Sequence, residues 1–477
     1  MKRPNLLVIM SDEHQGRALG CAGHPLVRTP HLDALASRGT RFENAYTPSP
    51  ICVPARAGFA TGRYVHQTRL WDNAMPYTGS IKGWGHALQD IGVPVESIGK
   101  LHYRDAEDPA GFDVEHIPMM VQDGIGMAWA LIRDEDQRLQ PGQRMLGEHI
   151  GAGRSKYTDY DAAVTRQTRD WLKTRAGAGD ERPWCLYVGL VAPHFPLVVP
   201  QEYFDLYPAD QLPATKLRPK DGYRRHSWVE KQNAVMDTES HFVDEDERLR
   251  AISSYFGLCS WLDFNVGEIL SALEETGCLD DTTIVYTSDH GDNVGARGLW
   301  GKSNLYQESV HIPLIMAGPD VPVGVCETPV SLLDLSKTIA MHFGADIESA
   351  PQLASLYDIA GQPAQPERIA FSEYHAIGSV SGGYMVRKGR WKYHHYVGFP
   401  PELFDLENDP EELMDLAPDP AHVQILATME RALRTFVDPD VTNAQAMADQ
   451  AALVTQLGGP EIVKGLGPKA ATPPPEI

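Results

Sequence analysis

The sequence predicts an α/β protein, with a mostly parallel sheet flanked by helices and then a small C-terminal α+β domain with an antiparallel sheet. Three observations predict it: short apolar runs recur, helix-length periodic segments lie between them, and the pattern changes after about residue 365. Residues 5–10 form an apolar run between Pro4 and Ser11-Asp12, as expected of a strand buried on both faces. Similar runs recur at 184–190, 283–286 and 312–316. Residues 31–38 follow a Thr-Pro start and stop at Gly39, which reads as a helix. Residues 160–175 carry Val164 and Trp171-Leu172 at near-helical spacing, and 252–273 make a longer periodic helix ending at Gly277.

Pro363 and Pro366 mark the change, so residues 1–365 are expected to form the larger domain and 366–477 the small one. Residues 384–396 alternate like hairpin strands around Lys388-Gly389, and 422–436 read as a closing helix. The Pro-rich end, 472–477, is expected to be a mobile tail.

Composition narrows the function classes. A chain of 477 residues allows two or three domains, and 42% hydrophobic residues supply a sizeable core. The net charge of −22 argues against general nucleic-acid binding, which needs a basic footprint. Met1-Lys2-Arg3 is basic like a signal peptide, but the apolar stretch that follows is too short for one, and no run is long enough for a membrane span. The six cysteines are scattered without a CxxC pair, which fits a reducing compartment. The expectation is a soluble cytoplasmic protein.

In open parallel sheets, ligands bind beyond the carboxyl ends of the strands. Two runs here end in acidic residues, Ser11-Asp12-Glu13-His14 and Ser288-Asp289-His290-Gly291-Asp292. Their oxygens suit a hard divalent cation. Each segment alone is explained as well by a turn after a strand, and the two together leave turn and metal readings level. A third segment is Cys52-Val53-Pro54-Ala55-Arg56. Pro54 suits the first turn of a helix, so Cys52 would sit at a helix N-terminus with Arg56 one turn along the same face. That position favours an anion, although an isolated cysteine there is usually a packing residue.

Cys52-Val53-Pro54-Ala55-Arg56, followed by Thr61-Gly62-Arg63, resembles the CxPxR signature of the formylglycine-dependent sulfatases, within the alkaline phosphatase superfamily. Further matches run in order. Pro4 through Asp12 resembles the family's opening strand, Thr29-Pro30-His31-Leu32-Asp33-Ala34-Leu35-Ala36 its TPNLDxLA helix, and Gly99-Lys100-Leu101-His102 its GKxH segment. Ala192-Pro193-His194 resembles the PH loop, Asp289-His290-Gly291 with Gly301-Lys302 the metal segment and its lysine, and Glu402-Leu403-Phe404-Asp405-Leu406 with Asp409-Pro410-Glu412 the ELYDLxxDPxE stretch. The opening hundred residues resemble bacterial choline sulfatases and arylsulfatases more than lysosomal ones.

The resemblance implies an alkaline-phosphatase-like fold, conversion of Cys52 to Cα-formylglycine by a separate maturation enzyme, and hydrolysis of small sulfate esters. The hydrated aldehyde would attack sulfur through one oxygen and release sulfate by deprotonation of the other. Asp12, Asp289 and His290 fall on metal-ligand positions, with Glu13 where many relatives have Asp. Calcium is implied, and the His290 nitrogen leaves room for manganese, or magnesium in its place. Arg56, Lys100, His102, His194 and Lys302 match positions around the transferring group. Lys302 and His194 are the candidates for the leaving oxygen and His102 for the base that releases sulfate. Asn73 is a candidate substrate contact. Trp71, Tyr77, Trp84 and Trp300 offer faces to an aryl or quaternary ammonium group, with packing preferred for at least two of them. Phosphonate monoester hydrolases and phosphodiesterases are close relatives that share formylglycine but tend to lack the Lys and His of GKxH, so Lys100 and His102 favour sulfate. The remaining alternative is an anion-binding homologue whose cysteine is never matured. Self-association stays open.

Overall fold

The computed structural model describes residues 4–140 and 144–476. The basic Met1-Lys2-Arg3 lies outside them. Eight strands form the central sheet: β1 (Asn5–Asp12), β2 (Gly39–Phe42), β3 (Val95–Lys100), β4 (Val114–Met119), β5 (Cys185–Pro193), β6 (Thr282–Ser288), β7 (Leu314–Ala317) and β8 (Gly324–Cys326). Their order is β8-β2-β7-β6-β1-β5-β3-β4. All run parallel except β7, which is antiparallel to both neighbours. The mostly parallel, helix-flanked sheet expected from the sequence is therefore present.

Strand β1 shows why the apolar runs are continuous. Its alternate residues serve two cores: Leu7 and Ile9 face one, Leu6, Val8 and Met10 the other. Helices α1 (Pro30–Ser37), α3 (Lys156–Gly177) and α4 (Glu245–Glu275) cover the first face, and α2 (Cys52–Thr61) and α5 (Leu332–Phe343) cover the second. Helix α4 runs seven residues ahead of the periodic segment because Asp244 caps it, accepting from the backbone N–H of Glu247.

The C-terminal part carries an antiparallel sheet, β9 (Ala370–Tyr374), β10 (Gly383–Lys388), β11 (Trp391–Tyr396) and β12 (Glu402–Asp405). The hairpin turns at Gly389, whose φ of 58° suits glycine. Helix α6 (Val423–Leu433) is followed by α7 (Pro439–Gln456), which the sequence reading omitted. Helix α7 packs back toward the larger sheet: Asp449 accepts from Arg69 and Trp71, and Gln450 from Arg133. The mobile-tail expectation is corrected at its first residue. Thr472 is 7% exposed and hydrogen-bonded within the protein. Among the described residues, no helix is long and apolar enough to cross a membrane.

The two parts are joined by a buried charge cluster. Glu373 on β9 is fully buried and bonded to His66 Nδ1 at 2.8 Å and His375 Nε2 at 3.0 Å. Burial alone would raise its carboxyl, but the two histidines bring it down to about 2 from an ordinary 4.5. A lowered carboxylate contributes stability in full above pH 4.5, and that contribution fades as pH falls toward 2. His66 is shifted the other way: burial opposes its charge, yet Glu373 raises its pKa overall. Its share is complete below pH 6.5 and fades as pH rises through its raised value. Glu373→Gln is therefore expected to cost about 3 kcal/mol between pH 5 and 7. Urea unfolding at several pH values would show that penalty shrinking below pH 4.5.

Candidate active site

The strand order assembles the site. Four neighbouring strands, β6-β1-β5-β3, deliver their carboxyl ends to one place. Asp289 and His290 follow β6, Asp12 closes β1 and Glu13 follows, His194 follows β5, and Lys100 closes β3 with His102 just beyond. Helix α2 points its N-terminus at the same place, with Cys52 as its first residue and Ile51 as the cap. Glu13 and His102 have left-handed backbones, with φ of 72° and 59°, an uncommon conformation that turns the chain sharply at the strand ends. Gly99 permits a close strand approach: a Cβ there would lie 2.2 Å from the carbonyl of Gly189.

One oxygen of each aspartate is committed to a cation of the protein. Asp12 Oδ2 accepts from Arg56 at 3.0 Å and pairs with Lys100 Nζ at 2.7 Å, and Asp289 Oδ2 accepts from Arg56 Nε at 2.8 Å. Burial would raise the Asp12 carboxyl, but Lys100, His194, Arg56 and His290 together hold it well below the usual carboxylate range. The other oxygens face each other. Asp12 Oδ1 is 3.8 Å from His290 Nε2 and 3.6 Å from Cys52 Sγ, and Asp289 Oδ1 is 3.7 Å from His290 Nε2.

The donor atoms of Asp12, Cys52, Asp289 and His290 all lie within 4.8 Å of one another, as do those of Asp12, Glu13 and His194. His290 Nδ1 bonds the carbonyl of Gly291 at 3.1 Å. A carbonyl only accepts, so Nδ1 carries the hydrogen and Nε2 keeps its lone pair for the cluster. Glu13 Oε1 is buried without a hydrogen-bond partner among the described residues. Carboxylate oxygens, one of them unpaired, and one imidazole nitrogen are a donor set that fits a divalent cation.

Arg56 does not face the cavity. It is 1% exposed and spends its guanidinium on protein acceptors, so it holds the aspartates in place instead of meeting the transferring group directly. Lys100, His102, His194, Lys302 and Asn73 do line the cavity with Cys52. Asn73 Oδ1 accepts from the backbone N–H of Val53 at 3.1 Å, tying it to the first turn of α2. Lys302 Nζ lies 2.9 Å from Glu13 Oε2 and 2.7 Å from His194 Nε2. His194 Nδ1 lies 2.5 Å from the carbonyl of Phe195, to which it donates, so its Nε2 accepts from Lys302. Burial, reinforced by Lys302, holds His194 well below the usual histidine value. Burial opposes the Lys302 charge as well, but Cys52, Glu13 and Asp12 raise its ammonium group above the ordinary lysine range. Burial, with Asp12, pushes the Cys52 thiol up to about 12.

Above these groups the cavity is walled by Met127, Met145, Phe195, Met236 and Trp300. Of the four aromatic residues singled out in the sequence, only Trp300 reaches it. Trp71, Tyr77 and Trp84 are packed into cores. Sequence reasoning missed Tyr187, whose hydroxyl supports Arg56 at 3.0 Å, and Thr472, which lines the cavity from the far end of the chain. A lone hydroxyl inside the apolar run of β5 is the one signal for Tyr187, whereas a Pro-rich terminus gives no comparable signal for Thr472.

The sequence model described as "Sulfatase" matches residues 4–345, and that of "N-sulphoglucosamine sulphohydrolase, C-terminal" matches 295–438. A choline-sulfatase of Rhizobium meliloti (strain 1021) is 35% identical, with 86% of this chain and 81% of the relative covered. Arylsulfatase K of Danio rerio is 30% identical, covering 93% of this chain and 85% of the relative. Among solved structures, the phosphonate monoester hydrolase of Agrobacterium radiobacter shares the fold, with a TM-score of 0.72 at 22% identity over 93% of this chain and 96% of that one. A structure in complex with D-glucosamine-2-N,6-O-disulfate, described as its substrate, has a TM-score of 0.73 at 22% identity, covering 92% and 99% of the two chains.

Proposed function

The chain belongs to the sulfatase family and is a sulfate ester hydrolase, and on that premise we propose that it cleaves small sulfate monoesters of apolar alcohols, aryl or alkyl, through formylglycine made from Cys52. The observation that carries this reading is the convergence of Cys52 with Asp12, Asp289 and His290 on the cavity that Lys302 and His194 also face. Formylglycine at position 52, as its hydrated aldehyde, would supply the nucleophilic oxygen for attack on sulfur, with the alcohol as leaving group. Its second hydroxyl, once deprotonated, lets the carbon–oxygen bond to sulfate break with the electron pair leaving on sulfate. Asp12, Asp289, His290 and Glu13 would hold a divalent cation, calcium or else manganese or magnesium, which would supply positive charge at the nucleophile.

The protein's own groups divide the remaining work. Lys100 and the bound cation offset charge on the sulfuryl oxygens, and Asn73 presents its amide nitrogen to the substrate. Lys302, oriented by His194 Nε2, gives its proton to the leaving alcohol oxygen. His102 takes the proton of the second hydroxyl. The methionine and aromatic wall excludes water from the leaving group and selects apolar alcohols. We retain a cytoplasmic location and a dependence on a maturation enzyme as parts of this reading.

The test is the mass of the tryptic peptide 42–56 from protein purified out of its native host. The expected result is an aldehyde in place of the Cys52 thiol, with turnover of 4-nitrophenyl sulfate. A thiol in a host whose other sulfatases are matured would overturn the mechanism. A specificity constant larger for a matched phosphonate monoester would move the chain to the phosphonate hydrolases.

A further inference from the structure

Residues 463–472 lead from the end of α7 to the catalytic cavity, and the path is anchored at several points. Beyond α7, Val463 and Leu466 pack with Ala128 and Leu131. Gly467 lies so close to Gly126 that a Cβ would sit 1.6 Å from its carbonyl oxygen. Trp129 Nε1 donates to the carbonyl of Pro468 at 2.8 Å. Ala471 and Thr472 then line the cavity beside His102. Thr472 is held from both sides: its carbonyl accepts from the Tyr157 hydroxyl, and its Oγ1 is 3.0 Å from His102 Nε2. Tyr157 in turn sets its ring edge-on to His194, with centroids 5.9 Å apart.

His102 needs such a partner. It is 5% exposed, stands on a left-handed backbone, and its Nδ1 has no hydrogen-bond partner among the described residues. The Thr472 hydroxyl is therefore the polar contact, among those of the described residues, that fixes the plane of the ring.

We propose that Thr472 is a positioning residue for His102, and that the C-terminal segment carrying it is a working wall of the active site. The proposal rests on the reading of His102 as the base that frees sulfate, and it adds no covalent step. A ring free to rotate would still bind substrate but would meet the second hydroxyl less often. The loss therefore falls on release of sulfate, not on capture of the ester.

The experiment compares Thr472→Val, which keeps the shape and removes the hydrogen bond, with Thr472→Ser, which keeps the hydroxyl. In the matured enzyme T472V is expected to lose about 10–100-fold in kcat. KM should not rise, and the quenched 42–56 peptide should retain sulfate. T472S should stay within about threefold of the wild type, the small residual loss expected for a conserved hydrogen bond. A second readout needs no formylglycine: in protein carrying the unmodified thiol, histidine-selective ¹⁵N spectra should show one imidazole altered by T472V and restored by T472S. Equal losses in both variants with lowered melting temperatures would reduce Thr472 to a structural residue and overturn the proposal. A matured, active wild type that T472V matches in kcat and in spectrum would overturn it alone. A wild type with a bare thiol and no turnover would end the underlying reading as well.

Discussion

Arg56→Ala is expected to abolish sulfate ester turnover and to destabilise the fold by about 3–5 kcal/mol, the cost of breaking a buried ion pair from one side. The five N–H groups of Arg56 face five acceptors: Asp289 Oδ2, Asp12 Oδ2, the Tyr187 hydroxyl and the carbonyls of Lys100 and Ser11. Its removal leaves two buried carboxylates close together, with Lys100 still paired to Asp12 and Asp289 without its arginine. Activity should fall at least 10³-fold, because the nucleophile and the metal oxygens all take their positions from these two aspartates. Arg56→Lys separates charge from geometry. A lysine keeps the charge but has three donors, so at least two of the five acceptors go unpaired. Its unfolding penalty should be the smaller, while its turnover should remain far below the wild type. Urea unfolding and initial rates, with the aldehyde content at position 52 measured in each variant, check both statements. Wild-type stability in R56A would mean that the aspartates are held by something else.

How much of this was legible in the sequence follows from physics at particular positions. Strands β1, β5 and β6 are buried on both faces and read as apolar runs, so they and the acidic residues at their ends were visible. Strand β3 was not, because Glu96 and Ser97 interrupt it. Its role in presenting Lys100 and His102 came only through the GKxH resemblance. Helix α5 was missed although Leu332 to Phe343 carries legible helix signals, a Ser331–Asp334 capping box at its start and Gly344 at its end. The sequence placed Cys52 and Arg56 on one face of α2, and they are there. It could not say that Arg56 turns inward to the aspartates, because the partners lie 44 and 233 residues away. The tail was misread for a related reason. Proline-rich ends are usually unanchored, and what anchors this one is a single threonine between His102 and Tyr157. Composition sees neither partner.

Lys302→Ala is expected to cost between about 10² and 10⁴ in rate, and the size of the loss should depend on the alcohol. The geometry explains why. His194 is locked as an acceptor at Nε2 because its Nδ1 hydrogen goes to the carbonyl of Phe195. It cannot donate from that nitrogen, so in the proposed mechanism the proton for the leaving oxygen comes from Lys302, which His194 and Glu13 hold from two sides. A 4-nitrophenolate leaves without much help, and its sulfate should sit at the low end of the range. An alkyl alcohol must be protonated as its bond to sulfur breaks, and its sulfate should sit at the high end. Plotting log(kcat/KM) against leaving-group pKa for a series of aryl and alkyl sulfates should give a steeper negative slope for K302A than for the wild type. Added small amines should restore part of the lost rate for the poorest leaving groups. His194→Ala should steepen the slope less, since it loosens the lysine without removing its proton. Parallel slopes for K302A and the wild type would mean that Lys302 serves charge neutralisation in the ground state, and the proton would then have to come from another group lining the cavity.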